Sequence, residues 1–90
     1  MPKPPIFFGH VNLPVLDLDR SISFYCDRLG LKRGPAFIDK QGKMTGIFLH
    51  FAQDAFLELF VAPEVNPWQG HLCIATEGIQ EFLADLRLHG

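Results

Sequence analysis

The amino-acid sequence predicts an α+β fold, a βαβββ module followed by the first strand and helix of a second, incomplete module. Three observations predict it: two segments with a helical repeat of apolar residues, several short segments that alternate like strands, and a repeated strand–helix order. The 90 residues are 48% hydrophobic and 20% charged, which suits a small globular unit. We assign residues 1–66 to the first module and residues 67–90 to the truncated second one.

The first strand and the first helix are predicted from the N-terminal third of the chain. Polar and apolar residues alternate over residues 7–15, as in a strand with one buried face. Asp17 and Asp19 follow, and either carboxylate can cap the start of a helix. Gly30 stands where a left-handed C-terminal cap is expected. Between the caps, apolar residues recur at helical spacing: Ile22, Tyr25, Cys26 and Leu29.

Three further strands complete the first module. They are predicted over residues 32–39, 47–51 and 56–61, with a turn at Gly42 and a hairpin at residues 53–55. The last strand alternates strictly, so its two faces differ. One carries Leu57, Leu59 and Val61, and the other carries Phe56, Glu58 and Phe60.

The second copy of the repeat begins after a connector rich in proline and glycine. Gly9-His10 opens the first strand, and Gly70-His71 opens a fifth strand predicted over residues 71–75. The helical face of the first module also recurs, as Ile79, Phe82, Leu83 and Leu86. The repeat therefore places His10 and His71 at equivalent positions in two related units.

Three side chains with metal-binding atoms are predicted on the strand faces that the aliphatic residues leave free: His10, Glu58 and His71. Two imidazoles and a carboxylate suit Zn, Ni, Fe or Mn and leave coordination positions for a substrate. The competing interpretation is that both histidines are ordinary strand residues with satisfied hydrogen bonds and that Glu58 is solvated. Spacing alone does not separate these interpretations.

Three stretches resemble a known family. The run GHVNLPVLDLDRSISFYCDRLGLK, FLELF at 56–60 and GHLCIA at 70–75 are similar to strands and a helix of the vicinal oxygen chelate superfamily. That superfamily includes glyoxalase I, extradiol dioxygenases, fosfomycin-resistance proteins and bleomycin-binding proteins. The resemblance implies that paired βαβββ modules form a cupped sheet around a divalent metal ion.

The resemblance also implies a role for each candidate ligand. His10 matches the ligand on the family's first strand, Glu58 the ligand on its fourth strand and His71 the ligand on its fifth. The family's fourth ligand, a glutamate on the eighth strand, has no match in these 90 residues. We expect a second chain or further sequence to supply it.

The function implied is that of a metal-dependent enzyme of glyoxalase or dioxygenase type, acting as a lyase, isomerase or dioxygenase on a small substrate with adjacent oxygen atoms. One alternative is a metal-free drug-binding protein of the bleomycin-resistance type, and another is an inactive truncated module. In either active case, the residues expected to contact the small molecule are Phe48, His50, Phe56 and Phe60.

Composition argues against several other classes of partner. The net charge is −2 and the Lys and Arg residues are scattered, so no nucleic-acid footprint is predicted. No apolar run approaches the ~20 residues of a membrane span, and the N-terminus lacks a signal-peptide core, which together indicate a cytoplasmic protein. We expect a homodimer, because a short chain leaves sheet edges and an apolar face exposed to water, and a second copy can bury them.

Overall fold

The structure, a computed structural model, describes residues 6, 8–65 and 72–89. Four strands form one sheet in the order β1–β4–β3–β2. The strands are β1 (His10–Val15), β2 (Lys32–Ile38), β3 (Met44–Ala52) and β4 (Ala55–Val61). The helices are α1 (Leu18–Ser23), which continues as a π-helical turn over Phe24–Arg28, and α2 (Ile79–His89). The predicted α+β class and the βαβββ order of the first module are confirmed.

The strand pairing follows from the connections. Strands β3 and β4 form an antiparallel hairpin, and β2 pairs antiparallel with the other side of β3. Strand β1 pairs parallel with β4, because α1 intervenes between β1 and the strands that follow. The sheet therefore brings β1 beside β4, although about 40 residues separate them in the sequence.

The first helix begins and ends where its capping residues predict. The Asp17 carboxylate accepts a hydrogen bond from the backbone N–H of Arg20 at 3.1 Å, so Asp17 is the N-cap and Asp19 lies in the first turn. Gly30 has φ of +82°, a left-handed conformation that lets the N–H of Leu31 donate to the carbonyl of Tyr25 at 3.0 Å. The helical segment therefore ends at Arg28, and the three residues 29–31 connect it to β2.

The core lies on one face of the sheet, beneath α1. No polar side chain is buried there in the described part of the chain. The aliphatic residues of β1, β3 and β4 point toward α1, and polar groups are consequently left to the opposite face. The buried residues are Leu18, Ile22, Leu31, Ile47, Leu49, Leu57 and Leu59.

The predicted fifth strand is wrong for the residues that the structure describes. Residues 72–76 have no strand conformation and pair with no strand of the sheet. Alternation of residue type makes a strand only where a neighbour supplies the ladder hydrogen bonds, and this segment has none. Leu72 instead packs against the edge of the core. His71, the residue that opens the predicted strand, lies outside the described residues.

The second helix is confirmed, but it contributes little to the core. Among the described residues, the extensive contacts between elements involve α1 and β1–β4, and α2 makes at most minor contacts with other elements. Ile79 and Leu83, two residues of its predicted apolar face, are 51% and 38% exposed. Neither helix is both long enough and apolar enough to traverse a lipid bilayer, as far as the structure is described.

Candidate metal and ligand site

The sheet face opposite α1, which we call the open face, carries most of the predicted site residues. Pairing between strands fixes which of them are neighbours. Asn12 on β1 lies beside Glu58 on β4, and Glu58 lies beside Phe48 on β3. One step along the strands, His10 lies beside Phe56, and Phe56 lies beside His50. Residues that pair across a ladder share a face, so all six project from the open face.

His10 and Glu58 form the polar centre of the open face. The Nε2 atom of His10 lies 3.7 Å from the Oε1 atom of Glu58. The His10 side chain is 47% exposed and the Glu58 side chain is 18% exposed, so both can be reached by a ligand. The side-chain amide of Asn12 donates a hydrogen bond to the same carboxylate. The carboxylate is therefore held between two neighbouring side chains of β1.

The spacing of this pair fits a shared metal ion. Imidazole and carboxylate ligands bind Zn²⁺ at about 2.1 Å, so two ligands of one ion lie roughly 3–4 Å apart. The observed 3.7 Å falls within that range. In the described part of the chain, no group of three His, Cys, Asp or Glu residues converges on one point. His71, the third predicted ligand, is outside that part, so two of the three predicted ligands meet.

Aromatic rings cover the open face beside His10 and Glu58. The Phe48 ring lies 5.2 Å from the His10 ring, 5.6 Å from the Phe56 ring and 5.5 Å from the Phe37 ring, measured between centroids. Phe60 lies on the same face, paired with Gly46. Edge-to-face ring contacts of this kind hold side chains in a fixed arrangement and leave an apolar surface for a ligand.

His50 lies away from the metal-competent pair. Its ring packs against Phe56 with centroids 4.5 Å apart, and two strand spacings of ~4.8 Å place it about 10 Å from His10. Its other neighbour is Gly34, where a Cβ atom would lie 2.7 Å from His50 Nε2. The absence of a side chain at Gly34 therefore leaves room for the imidazole, which lines the ligand face and does not belong to the metal pair.

The sequence interpretation missed two contributors to this face. Asn12 has no role in the site predicted from the sequence, yet its side-chain amide contacts Glu58 directly. Lys32 pairs with His50 and extends the row of His10, Phe56 and His50 by one strand. Asn12 could have been found from the sequence, because it is two residues from His10 on the same strand and therefore shares its face. Lys32 could not, because its position beside His50 depends on the register between β2 and β3.

Residues 8–47 match the family described as bleomycin resistance protein-like N-terminal. No curated protein sequence matches the chain at a significant level. Among solved structures, trypanothione-dependent glyoxalase I of Leishmania major is 31% identical, with a TM-score of 0.72. The match covers 94% of this chain and 67% of that enzyme.

Two other solved structures share the fold at lower identity. An integron cassette protein from the mobile metagenome of the Halifax Harbour sewage outfall is 23% identical, with a TM-score of 0.75 over 93% of this chain and 71% of its own. A Bacillus anthracis protein described as a glyoxalase family member is 18% identical, with a TM-score of 0.76 over 99% of this chain and 74% of its own.

The open sheet with a single covering helix and the match to glyoxalase I define a class of protein built from βαβββ modules. The chain belongs to the vicinal oxygen chelate superfamily, the group of glyoxalase and bleomycin-resistance type proteins. The superfamily sets the architecture, whereas the chemistry depends on the residues of the open face.

Proposed function

We propose that the open face binds a divalent metal ion through His10 and Glu58, and with it a small molecule that offers adjacent oxygen atoms to the metal. The observation that carries this proposal is the 3.7 Å separation between His10 Nε2 and Glu58 Oε1 on neighbouring strands. Similarity to a glyoxalase I at 31% identity supports it. On sequence alone, His71 is the third ligand of the proposal.

The chemistry of the pair suits several metals. An imidazole and a carboxylate are ligands common to Zn, Ni, Mn and Fe sites, and a bound divalent ion would act as a Lewis acid toward a ligand oxygen. Asn12 fixes the Glu58 carboxylate through its hydrogen bond, which keeps one oxygen near His10. Phe48 packs against the His10 ring and limits its rotation. The Phe48 and Phe56 rings would contact the apolar part of the small molecule.

The test is a calorimetric titration of the metal-free protein with Zn²⁺, Ni²⁺ and Mn²⁺. We expect one ion per chain, and we expect His10→Ala and Glu58→Gln each to weaken binding at least 100-fold, because each removes a ligand. His71→Ala tests the third ligand in the same way. The matched control is His50→Asn, which removes an imidazole from the same face two strands away and should leave metal affinity within twofold.

Two results would contradict the proposal. One is the lack of stoichiometric binding by any of the three ions. The other is unchanged affinity in both His10→Ala and Glu58→Gln, which would place the metal elsewhere. Circular dichroism of each variant separates a lost ligand from a lost fold.

A second candidate function is metal-free binding of a flat or apolar molecule. The match of residues 8–47 to the bleomycin resistance protein-like family favours it. So does the central position of Phe48, which contacts three other rings on the open face. Fluorescence titration with a planar aromatic compound distinguishes the two functions. Under this second function, Phe48→Ala abolishes binding whereas His10→Ala and Glu58→Gln preserve it.

We also propose that a second copy of the chain covers apolar surface that this copy leaves exposed. Phe37 and Ile38 on the edge strand β2 are 45% and 57% exposed, and Ile79 on α2 is 51% exposed. Association would remove these apolar side chains from water, which is favourable. Sedimentation equilibrium should give twice the mass of one chain at micromolar concentration, and a single-chain mass at 100 µM would exclude the homodimer.

A further inference from the structure

We propose that the cleft between β2 and the β3–β4 turn is an anion-binding subsite, formed by Lys32, Arg33 and His50, which takes a carboxylate or phosphate group of the ligand. This proposal rests on the proposed function, because it describes a second part of the same small-molecule site. The subsite itself can be tested without a metal. If the subsite exists, the small molecule carries an anionic group at one end and metal-binding oxygen atoms at the other.

The charged residues that line the cleft are all basic. The cleft has a volume of about 430 Å³, enough for a group larger than phosphate. Lys32 and His50 line it from the open face, and Arg33 lines it from the edge strand, where its side chain starts on the helix side. No carboxylate belongs to the lining. A concave site of one sign focuses the field on a ligand of opposite charge. The lining residues are Lys32, Arg33, His50, Phe51, Ala52 and Gln53.

The two cations differ in their acidic surroundings. Apart from Asp85, no Asp or Glu in the part of the chain that the structure describes has a carboxylate oxygen within 4.0 Å of Lys32 or Arg33. That part contains every Asp and Glu of the sequence. Arg33 also lines a smaller cleft of about 170 Å³ on its helix side together with Asp19 and Asp27, and Asp54 lies in the adjoining turn. Lys32 does not line that acidic cleft.

His50 is held in place before any ligand arrives. Its ring packs on Phe56 at 4.5 Å and fits against the backbone of Gly34, where a Cβ would lie 2.7 Å from Nε2. A side chain that is already ordered loses little conformational entropy on binding, so its contribution to affinity is larger than that of a free surface residue. The chain thus provides one fixed donor beside two long, adaptable cations.

The position of the cleft relates it to the metal-competent pair. Lys32, His50, Phe56 and His10 pair in succession across the four strands and form one row on the open face. The strand spacing places His50 about 10 Å from His10, with the apolar Phe56 ring between them. A ligand that spans the row therefore needs an anionic end, an apolar middle and oxygen atoms near His10.

The experiment is a two-dimensional 1H–15N NMR titration of the metal-free protein with inorganic phosphate and, separately, with acetate, at constant ionic strength. We expect saturable shifts centred on the amides of Lys32, Arg33 and His50. The double variant Lys32→Gln/Arg33→Gln should raise the dissociation constant for phosphate at least 10-fold. The matched control is Lys40→Gln/Lys43→Gln in the turn between β2 and β3, which should leave it unchanged.

Each outcome decides one question. Saturable shifts with either anion support the subsite, and the tighter anion indicates whether a phosphate or a carboxylate is the natural group. Shifts that do not saturate, or that decrease equally in both double variants, overturn it. Calorimetry with Zn²⁺ separates this result from the metal site, because Lys32→Gln/Arg33→Gln should retain full metal affinity. If the double variant gives an undispersed spectrum, the single variant Lys32→Gln and its control Lys43→Gln make the comparison.

Discussion

Asn12 and Glu58 lie side by side on the parallel strands β1 and β4, and the Asn12 amide donates a hydrogen bond to the Glu58 carboxylate. The same carboxylate oxygen is 3.7 Å from His10. A residue two positions from His10 thus orients a group that is 46 residues further along the chain. Partners of this kind set the direction in which a ligand's lone pairs point.

Replacing Asn12 should therefore weaken metal binding while both ligands remain. We expect Asn12→Ala to raise the dissociation constant for Zn²⁺ about 10-fold, at the lower end of the usual effect of losing such a partner. Asn12→Asp should weaken binding less than Asn12→Ala, because the repulsion between the two carboxylates in the metal-free protein is relieved when the cation binds. Gln53→Ala, an amide lost from the β3–β4 turn, is the control in the calorimetric titration. Equal affinities for Asn12→Ala and the unsubstituted protein would remove Asn12 from the site.

The close approach of β3 to its neighbours predicts a second effect. A Cβ at Gly46 would lie 2.8 Å from the carbonyl oxygen of Leu59 and 3.2 Å from the Phe37 ring. We expect Gly46→Ala to lower the free energy of unfolding by about 1–3 kcal/mol, since backbone must shift to admit the methyl group. Gly9→Ala is the control, because nothing lies within 4 Å of its Cβ position. Urea denaturation of both variants gives the comparison, and indistinguishable stabilities would contradict the strand packing.

The core predicts a contrast between two leucines. Leu57 is fully buried under α1, whereas Leu88 on α2 is 82% exposed. Leu57→Ala should lower the free energy of unfolding by about 2–5 kcal/mol, because it removes buried methyl groups and leaves a cavity. Leu88→Ala should change it by less than about 0.5 kcal/mol. A large loss in Leu88→Ala would show that a partner covers α2 in solution, and sedimentation of the same sample would identify that partner as a second copy.

The two cysteines should differ in reactivity. Both are free thiols, and Cys73 is exposed whereas Cys26 is half-buried. Burial raises the pKa of the Cys26 thiol, and the cations Arg33 and Lys32 offset only part of that shift. At pH 8 we expect Cys73 to react with a thiol reagent at least 10-fold faster. Cys73→Ser should abolish the fast phase of labelling and Cys26→Ser the slow one. Labelling in a single phase would show that the segment around Cys26 opens readily.

The strand faces and the first helix could be predicted because their signals are local. The alternation of residues in β1 and β4 predicts that the leucines lie on one face of the sheet and that His10 and Glu58 lie on the other, as they do in the structure. The Asp17 cap and the left-handed Gly30 lie where the sequence predicts the ends of α1. These features depend on neighbours a few residues apart, whose geometry repeats in every helix and strand.

The prediction of a strand over residues 71–75 failed for residues 72–76, because a strand depends on a partner that the pattern does not identify. Cys73 lies in this segment, and its thiol is exposed. The division at residue 66 and the ligand role of His71 stay predictions.

The sequence by itself determined which residue types face away from the core: His10, Glu58, Phe48 and Phe56 all follow from a period of two. The tertiary structure decided which of them meet. Parallel pairing of β1 with β4 brought His10 and Asn12 to Glu58, and the β2–β3 register put Lys32 beside His50. A slip of one residue would turn every side chain of a strand to the other face, and only packing of the whole sheet against α1 selects the register.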